Sequence, residues 1–566
     1  MTIKRINILF VLFLAICIHA VAQSTGSVSQ TNKAYFDYLE YKGNDAFFKK
    51  EINPANQYLN PLIVGFYPDP SICRKGDDYY LVTSSFGYYP GIPIWHSKDL
   101  VSWKQIGHVL DRPSQLKLTG LELSEGIFAP TIRYNEVNNT FYVICTVVSG
   151  IKNFIVKTTD LSKGWSEPIL LPQVRGIDPS IYFDDNGKAF ITNGGPPKVS
   201  KYRGYKAIWL YEYDTKTDKL IDSGKRIAEG GIDTTKNPVW LEGPHIYKVK
   251  NKYYLMCAEG GTGEEHSEVI FESDKIDGDY KPCAINPILT QRDLAEQRPD
   301  KFTSTGHADL IQTKSGEWYA VFLATRPYVN DNYNTGRETC LLPVTWKNDI
   351  PVILESGKAM PVVVSKSGLN TTIQRPAGNF FWKDDFKKAI LNPEWNMIRT
   401  PEQDWYRIRK GKMILSAIEK SIYDKVNPAF LGRRQQHMTF SAKTAFTFTP
   451  KTEKELAGMV LLQNESNNIV VGKTIQNGKL VLLVESKTKG VNSTVAMLEI
   501  PAMDVNATVC IYLEVNEGSC DVYYSFKKQP RQVLAKQIDI NHLSTKQAGG
   551  FVGSYIGVYA TASRIK

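Results

Sequence analysis

A pattern of strand starts recurs five times between residues 58 and 350. In each copy a Pro, replaced by Ala308 in the fifth, stands two residues before an aliphatic residue. A polar turn and a run of aromatic and aliphatic residues follow, which is typical of short antiparallel strands. The aliphatic residues lie 60, 49, 65 and 64 residues apart, and they are Ile72, Ile132, Ile181, Ile246 and Leu310. Five strand-rich repeats of this length predict an all-β fold, a five-bladed β-propeller.

A second all-β unit follows the repeats. Residues 351–378 contain Pro361, Pro376 and Gly378 among several Ser and Thr residues, which is the composition of a connector. From residue 379 to 566, short alternating apolar runs continue without a helical period and favour a C-terminal β-sandwich. Residues 58–350 are therefore assigned to the propeller. Residues 23–57 are polar and lack the repeat, and we expect them to form an N-terminal arm or linker.

The first 22 residues have the pattern of a secretory signal peptide. A basic start, Lys4-Arg5, precedes a short apolar run that ends at Ala20-Val21-Ala22. This arrangement predicts cleavage after Ala22 and a secreted or periplasmic protein. The sequence does not distinguish the periplasm from the medium. No other run is long and apolar enough to predict a membrane span.

Charge and cysteine content exclude some functions. The formal net charge is +10, but Lys and Arg are interspersed with acids, so we expect no nucleic-acid partner. Seven cysteines remain after the signal peptide, at irregular spacing and without a CxxC pair. These features favour buried thiols over a disulfide framework or a zinc site. A bond between Cys510 and Cys520 across a hairpin is left open, as is the oligomeric state.

Acidic residues recur at one position of the repeat. The residues directly before each Pro, or before Ala308, are Asp69, Ala129, Asp178, Gly243 and His307, and Glu242 stands one residue earlier in the fourth copy. The innermost strands of a propeller surround its axis, so three carboxylates are brought together there. Like charges in one site raise the pKa of at least one group, which is typical of an active site. Any one of these acids alone would be an ordinary turn residue.

Other residues are candidates for substrate contact. The Gly- and Pro-containing loop of the first repeat carries Phe86 and leads into Trp95, and both aromatic rings are candidates either for sugar contact or for packing between blades. Phe128 would place an apolar wall beside the acids and so raise a pKa. Arg337 follows a Gly turn, from which its guanidinium could reach a substrate or a carboxylate. His307 is interpreted either as a structural residue on the axis or as a metal neighbour that relies on water for most ligands.

The motifs together resemble those of glycoside hydrolase family 43, in the branch of β-xylosidases and α-L-arabinofuranosidases with a C-terminal β-sandwich. The resemblance covers the whole propeller, and residues 380–560 resemble the sandwich of that branch. It rests on five stretches: Tyr67-Pro68-Asp69-Pro70-Ser71, Gly176-Ile177-Asp178-Pro179-Ser180, Leu241-Glu242-Gly243-Pro244-His245, Gly306-His307-Ala308-Asp309 and Gly336-Arg337-Glu338-Thr339.

The resemblance implies a role for each site residue. Asp69 would be the general base that activates water, Glu242 the general acid, and Asp178 the residue that raises the pKa of Glu242 and orients it. An inverting reaction would require the two catalytic carboxyls to stand about 6.5–9.5 Å apart. Arg337 would bind the substrate, and Phe86 and Phe128 would form the terminal-sugar subsite. Phe128 stands where many relatives carry Trp, which leaves the sugar preference open.

The expected function is that of an exported, inverting exo-glycoside hydrolase. It would release terminal β-D-xylose, α-L-arabinofuranose or both from xylan or arabinoxylan fragments, because the sandwich of the relatives closes one end of the groove. No cofactor is required, although the resemblance leaves open a calcium ion near His307. The alternatives are a non-catalytic carbohydrate-binding propeller and an arabinan-directed hydrolase. A binding protein would not explain three acids held together.

Overall fold

The computed structural model describes residues 31–526 and 529–565, and the predicted signal peptide lies outside these ranges. Nearly all of the regular structure in them is β. One short α-helix, α1 (Thr545–Ala548), lies near the carboxyl end. The 3₁₀ turns are Ala46–Phe48, Leu161–Lys163, Thr234–Lys236, Val329–Asp331, Ala502–Asp504 and Asn541–Leu543. No helix in the described part of the chain is long and apolar enough to cross a membrane.

The chain opens with β1 (Lys33–Gly43) and β2 (Gln57–Leu59) and then forms five antiparallel sheets in succession. The first sheet comprises β3 (Ser71–Lys75), β4 (Asp78–Val82), β6 (Gly91–Ser97) and β7 (Lys104–Leu110), and β5 (Tyr88–Tyr89) lies outside it. The second comprises β8 (Gly126–Asn135), β9 (Thr140–Val148), β10 (Lys152–Thr158) and β11 (Ile169–Leu170). The third comprises β12 (Ile177–Phe183), β13 (Ala189–Gly195), β14 (Ala207–Asp214), β15 (Lys219–Leu220) and β16 (Lys225–Glu229).

The last two sheets have the same plan. The fourth comprises β17 (Glu242–Val249), β18 (Lys252–Glu259), β19 (Ser267–Ser273), β20 (Lys281–Pro282) and β21 (Leu289–Thr290). The fifth comprises β22 (Thr303–Gln312), β23 (Trp318–Thr325), β24 (Glu338–Lys347) and β25 (Ile350–Val352). Strand β26 (Val363–Ser365) then pairs with β2.

The five sheets form a closed ring. Their first strands, β3, β8, β12, β17 and β22, contact one another in chain order, and β22 contacts β3. The segment before β3 bonds to the last sheet, because the Asn60 side chain accepts from Leu341 N and donates to Leu341 O at 3.0 Å each. This ring of sheets confirms the predicted propeller fold.

The repeated residues before each Pro share an unusual backbone conformation. Their φ angles lie in the left-handed region, at 53° for Asp69, 37° for Ala129, 54° for Asp178, 59° for Gly243 and 53° for His307. The register also shifts beside this position in the second to fifth sheets. A bulge re-aims a side chain, and a left-handed non-glycine residue costs about 1–2 kcal/mol. Strain repeated at the inner end of each sheet is typical of a functional site.

The remaining strands form a β-sandwich. One sheet contains β1 and seven later strands: β27 (Phe381–Asp384), β29 (Tyr406–Ile408), β30 (Met413–Ser416), β32 (Thr439–Thr447), β37 (Val509–Asn516), β38 (Ser519–Phe526) and β39 (Gln532–Asp539). The other contains β31 (Ala429–Arg434), β33 (Leu456–Asn464), β34 (Asn467–Gln476), β35 (Lys479–Thr488), β36 (Val491–Glu499) and β40 (Tyr555–Thr561). β28 (Met397–Ile398) lies outside both and pairs with β5 of the propeller.

Strand β1 departs from the expectation for residues 23–57. Residues 33–43 are neither a linker nor an arm on the propeller. They form a strand inside the sandwich, paired with β32 on one side and with β27 and β30 on the other. Ala34, Phe36, Leu39 and Tyr41 are buried, and a register shift between Phe36 and Tyr38 keeps them on one face. The residues between them are partly or fully exposed, as expected for a strand with one buried face. The polar residues among them explain why the sequence was interpreted as a polar segment.

The cysteines of the described residues are all free thiols. In the β37–β38 hairpin, Cys510 stands opposite Ser525, and Cys520 stands opposite Val515. The two cysteines therefore do not face each other. The question that the sequence left open is answered in favour of thiols.

A buried ionic network crosses the propeller axis. Arg133 of β8 donates two hydrogen bonds to Asp309 of β22, at 2.7 and 2.8 Å. Tyr247 and Ser71 each donate a further bond to Asp309 at 2.7 Å. Burial raises the pKa of Asp309, but the charge of Arg133 and the other partners outweigh burial and lower it. The network joins the inner strands of the first, second, fourth and fifth sheets.

Replacing Arg133 by Met is expected to lower the free energy of unfolding by about 3–5 kcal/mol, because Asp309 would stay buried without its cation. Urea unfolding of the full chain measures the change. The matched control is Lys250→Met, which removes the exposed partner of Asp349 and should cost at most about 1 kcal/mol. Equal losses in both variants would show that the axial ion pair does not stabilise the ring.

Candidate active site

A cavity of about 320 Å³ lies at the strained end of the inner strands. Its walls contain seven of the residues that the sequence suggested for the site. Six were candidates for catalysis or substrate binding, and the seventh, His307, was the candidate metal neighbour. The seven are Asp69, Asp178, Glu242, Arg337, Phe86, Phe128 and His307. The repeat thus brings together residues from five sheets.

Asp69 is held as a carboxylate at the bottom of this cavity. It is 5% exposed, and its two oxygens accept hydrogen bonds from Arg337 Nη1 at 2.7 Å and from Ser84 Oγ at 2.6 Å. Burial alone would raise the pKa of Asp69, but the nearby Arg337, His307 and Ser84 outweigh burial and lower it. An anionic carboxylate in contact with the cavity can accept a proton.

Asp178 and Glu242 have the opposite electrostatics. Burial, and then the charge of Asp69, raises the pKa of Glu242 to about 7. Burial, followed by the charges of Glu242 and Asp69, raises the pKa of Asp178 well above its usual range, although Gly243 N donates to Asp178 at 3.2 Å. Glu242 is half-buried. The cavity therefore holds Asp69, whose pKa is lowered, beside Asp178 and Glu242, whose pKa values are raised.

Glycine is favoured at position 243 for two reasons. Its φ is +59°, and an added Cβ would lie 3.0 Å from the His307 ring. A side chain would therefore meet both backbone strain and the imidazole. This close approach sets the spacing between the fourth and fifth inner strands beside Glu242.

Three phenylalanines form an apolar wall. The ring centroids of Phe86 and Phe128 are 4.7 Å apart, and Phe551 lies 6.0 Å from Phe86 and 5.6 Å from Phe128. Phe551 comes from the sandwich, in the loop between α1 and β40. Its backbone N donates to Ser124 Oγ at 3.1 Å, and its carbonyl accepts from Arg337 at 3.4 Å. The sandwich therefore supplies one wall of the propeller cavity.

Trp240 lies at the outer part of the cavity, two residues before Glu242. Its side chain is 39% exposed, although its φ of 57° is strained for a bulky residue. Its backbone N donates to Gly204 O at 2.8 Å, and Lys206 Nζ lies 5.2 Å from its ring centroid. The conformation is thus fixed by its neighbours and presents an aromatic face beside Glu242.

Comparison with known proteins identifies the family. Residues 58–351 match the model described as glycosyl hydrolases family 43. Residues 383–566 match the model described as the β-xylosidase C-terminal concanavalin A-like domain. The chain belongs to glycoside hydrolase family 43. It is therefore a glycoside hydrolase that carries the C-terminal domain of the β-xylosidase branch.

Similar curated proteins cover nearly the whole of this family 43 enzyme. A xylosidase/arabinosidase of Butyrivibrio fibrisolvens is 38% identical over 89% of the chain and 96% of the relative. A non-reducing end α-L-arabinofuranosidase of Bacteroides ovatus is 34% identical over 89% of the chain and 92% of the relative.

Solved structures of the family have the same architecture. A GH43_12 protein from a capybara gut metagenome has a TM-score of 0.88 at 38% identity, with 94% of this chain and 100% of that chain covered. A xylan β-1,4-xylosidase of Bacillus halodurans has a TM-score of 0.80 at 30% identity, with 89% and 96% covered.

Trp95 does not line the cavity of this family 43 enzyme, so of the two interpretations from the sequence, sugar contact and packing, the structure favours packing. Its ring is 2% exposed and packs edge-on against Tyr67 at 5.2 Å. Pairing of β6 with both β4 and β7 holds the residue inside the first sheet. The sequence left both interpretations open, because it does not show on which side of the blade the Trp95 ring points.

His307 lines the cavity beside Asp69. A calcium ion takes six to eight oxygen ligands, so one beside His307 would take most of them from water, and this stays a prediction. No group of three or more His, Cys, Asp or Glu residues within the described ranges could hold a metal. Burial lowers the pKa of His307 despite the charge of Asp69, which favours a neutral ring. The reaction proposed for this cavity uses protein carboxyls and water, and none of its steps depends on a metal.

Proposed function

We propose that this family 43 enzyme is an exported, inverting exo-hydrolase that releases terminal β-D-xylose, α-L-arabinofuranose or both from xylan-derived oligosaccharides. The observation that carries the proposal is the placement of Asp69 and Glu242 in one cavity, in surroundings that shift their pKa values in opposite directions. Asp69 has a lowered pKa, whereas the pKa of Glu242 is raised to about 7. Glycoside hydrolysis requires such a pair of acid and base.

Asp69 is the general base of the proposed reaction. A water molecule attacks the anomeric carbon and gives a proton to the Asp69 carboxylate while the bond to the leaving oxygen breaks. Arg337 and Ser84 each bond one oxygen of Asp69, so they fix the carboxylate in the orientation that receives the proton. Because water attacks opposite the leaving group, the anomeric configuration inverts.

Glu242 is the general acid. It gives its proton to the glycosidic oxygen, so that the leaving sugar departs as a neutral hydroxyl compound. Asp178 is a positioning residue, since it accepts the hydrogen bond of Gly243 N, the backbone group directly after Glu242. Both catalytic groups return to their starting states by proton exchange with solvent.

The wall formed by Phe551 supports exo action. The loop that carries it is bonded to the propeller through Ser124 and Arg337, so the cavity is closed on the side of the sandwich. A chain end fits such a pocket, whereas an internal sugar requires an open groove. Trp240 lines the cavity, is 39% exposed and stands two residues before Glu242, so its ring would contact the leaving sugar.

Relatives support the substrate class, and the sequence supports export. The similar proteins are named as xylosidases and arabinofuranosidases, which are enzymes that act on terminal pentosides. The signal-peptide pattern of residues 1–22 supports secretion or delivery to the periplasm. Fragments of xylan or arabinoxylan are the proposed substrates.

Three substrates test the proposal: nitrophenyl β-D-xyloside, nitrophenyl α-L-arabinofuranoside and xylobiose. The folded wild-type enzyme should release sugar from at least one pentoside, and the ratio among them gives the preference. Xylohexaose should lose one xylose at a time from one end. Early accumulation of internal fragments would contradict exo action. The absence of turnover on all three substrates and on arabinan would favour a carbohydrate-binding protein.

The pH dependence follows from the two pKa shifts. Activity on xylobiose requires Asp69 ionised and Glu242 protonated, and the fraction of protonated Glu242 falls as the pH rises through about 7. We therefore expect kcat/KM, which reports the free enzyme, to decline along an alkaline limb near pH 7. The acid limb should lie below the usual range of Asp, since the pKa of Asp69 is lowered. A constant kcat/KM from about pH 6 to about pH 8 would contradict the assignment of Glu242.

A further inference from the structure

A basic segment lies beside the catalytic cavity. It consists of residues 196–206, the loop between β13 and β14, and it contains Lys198, Lys201, Arg203 and Lys206. No acidic residue occurs between positions 196 and 211. The first three of these side chains are exposed, and that of Lys206 is partly exposed. The basic segment therefore presents accessible positive charge.

The basic segment is held on the side of the cavity that carries Glu242. Trp240, which lines the cavity, donates a backbone hydrogen bond to Gly204 O at 2.8 Å. Strand β13, which leads into the segment, ends against the proposed acid, because a Cβ added at Gly194 would lie 3.3 Å from Glu242 Cα. The positive charge is thus placed next to the wall formed by Trp240 and Glu242.

Lys206 brings this charge near the reacting groups. Its Nζ lies 5.2 Å from the centroid of the Trp240 ring. Its charge also acts on the acid, since burial and the charge of Asp69 raise the pKa of Glu242, and the charge of Lys206 opposes them. The ring contact and the electrostatic effect together place Lys206 within reach of a sugar that lies against Trp240.

The acids near the basic segment are already paired with other cations. Glu229, which stands opposite Ala207 in the sheet, forms an ion pair with Arg226 at 2.6 Å. Asp233, in the loop that leads to the cavity wall, lies 3.6 Å from Lys236. None of the four cations of the segment forms an ion pair in the described part of the chain. Positive charge of this kind beside a cleft raises the local concentration of an anionic substrate.

We propose that the basic segment gives the enzyme a preference for oligosaccharides whose leaving part carries a carboxylate, that is, a uronic acid substituent. This rests on the proposed function, in which Glu242 is the acid and so marks the side of the leaving sugar. Lys206 is the specificity-determining residue, because a carboxylate accepts charge-assisted hydrogen bonds from an ammonium group. Trp240 contacts the sugar ring that carries the substituent, and the exposed cations of the segment add to the attraction.

Titration calorimetry of the full chain with two ligands tests the proposal. One ligand is xylotriose that carries glucuronic acid on its middle xylose, and the other is the same compound with the carboxyl reduced to an alcohol. The Asp69→Asn background keeps hydrolysis too slow to consume either ligand. At about 30 mM salt the acidic ligand should bind about five- to tenfold more tightly than the reduced one, and at about 300 mM salt this ratio should shrink. Lys206→Met in the same background should lower the ratio at low salt by about threefold.

Lys219→Met is the matched control. Lys219 is an exposed lysine of the same sheet, opposite Asp214 at the far end of β14, and its loss should leave the ratio unchanged. Equal Kd values for the two ligands, no binding of either, or the same ratio in Lys206→Met as in Lys219→Met would overturn the proposal. Sugar release from xylobiose by the wild-type enzyme judges the hydrolase separately, so the two failures are distinguishable. Thermal melting of each variant confirms that it is folded.

Discussion

Asp69→Asn is expected to lower kcat on xylobiose by about 10²–10⁴-fold, the usual contribution of a general base. The amide keeps the size of the side chain but cannot accept a proton from water. Arg337 and Ser84, which donate hydrogen bonds to the carboxylate, would face a neutral amide in the variant. KM should change much less than kcat, because the apolar wall and Trp240 stay in place.

Asp184→Asn is the matched control for Asp69→Asn. Asp184 is also a buried acid of the propeller, 6% exposed, but its oxygens bond Tyr253 and lie outside the cavity. Its substitution should change kcat by less than a factor of about three, since it touches no reacting group. A comparable loss in both variants would indicate that the effect of Asp69→Asn is structural.

Glu242→Ala is expected to affect substrates unequally. Xylobiose has a poor leaving group that needs protonation, so its kcat should fall by about 10²–10⁴-fold. An aryl glycoside with an acidic phenol departs as the anion and needs little help, so its bond-breaking step should be slowed far less. The ratio of the two losses is the measurement.

The leaving-group series also separates catalysis from binding. A set of aryl xylosides with decreasing phenol pKa should show a steep dependence of kcat on leaving-group pKa in Glu242→Ala and a shallow one in the wild type. Glu259→Ala is the control. Glu259 is a buried acid at the end of β18 that bonds Ile232 N, and its loss should be equal across the series. Equal losses in Glu242→Ala would remove Glu242 from the role of the acid.

The sequence allowed prediction of the repeat and of the acids. Both follow from local patterns, because a Pro, or Ala308 in the fifth copy, stands two residues before an aliphatic residue in every inner strand, and Asp69, Asp178 and Glu242 occupy or flank one repeat position. Ring closure then brings equivalent positions together, whatever the loops between them do. The left-handed φ at all five positions shows that the backbone conformation repeats there even though the residue type changes.

Other parts of the site could not be predicted, since they depend on packing between distant segments. Phe551 lies more than 200 residues beyond the last propeller motif, and only docking of the sandwich brings it to Phe86 and Phe128. Its one local signal is the surrounding glycines, Gly549, Gly550 and Gly553, which indicate a special loop without showing where it docks. Trp240 had a better signal in its position two residues before Glu242.

The other residues that the sequence did not place have similar explanations. Trp95 stands in a strand whose two faces are both buried, so alternation along the sequence does not tell which neighbour each side chain meets. Residues 33–43 are far in sequence from the strands that they join. Long-range pairing of this kind leaves no mark on the local composition.

The most direct test of the central claim is the anomeric form of the first sugar released. Proton NMR during the first minutes of xylobiose hydrolysis by the wild-type enzyme, before mutarotation, distinguishes the two forms of the newly released xylose. The account predicts α-xylose from the β-linked substrate, because water activated by Asp69 attacks opposite the oxygen that Glu242 protonates. Initial release of β-xylose would mean retention, and it would contradict the assignment of Asp69 as the base.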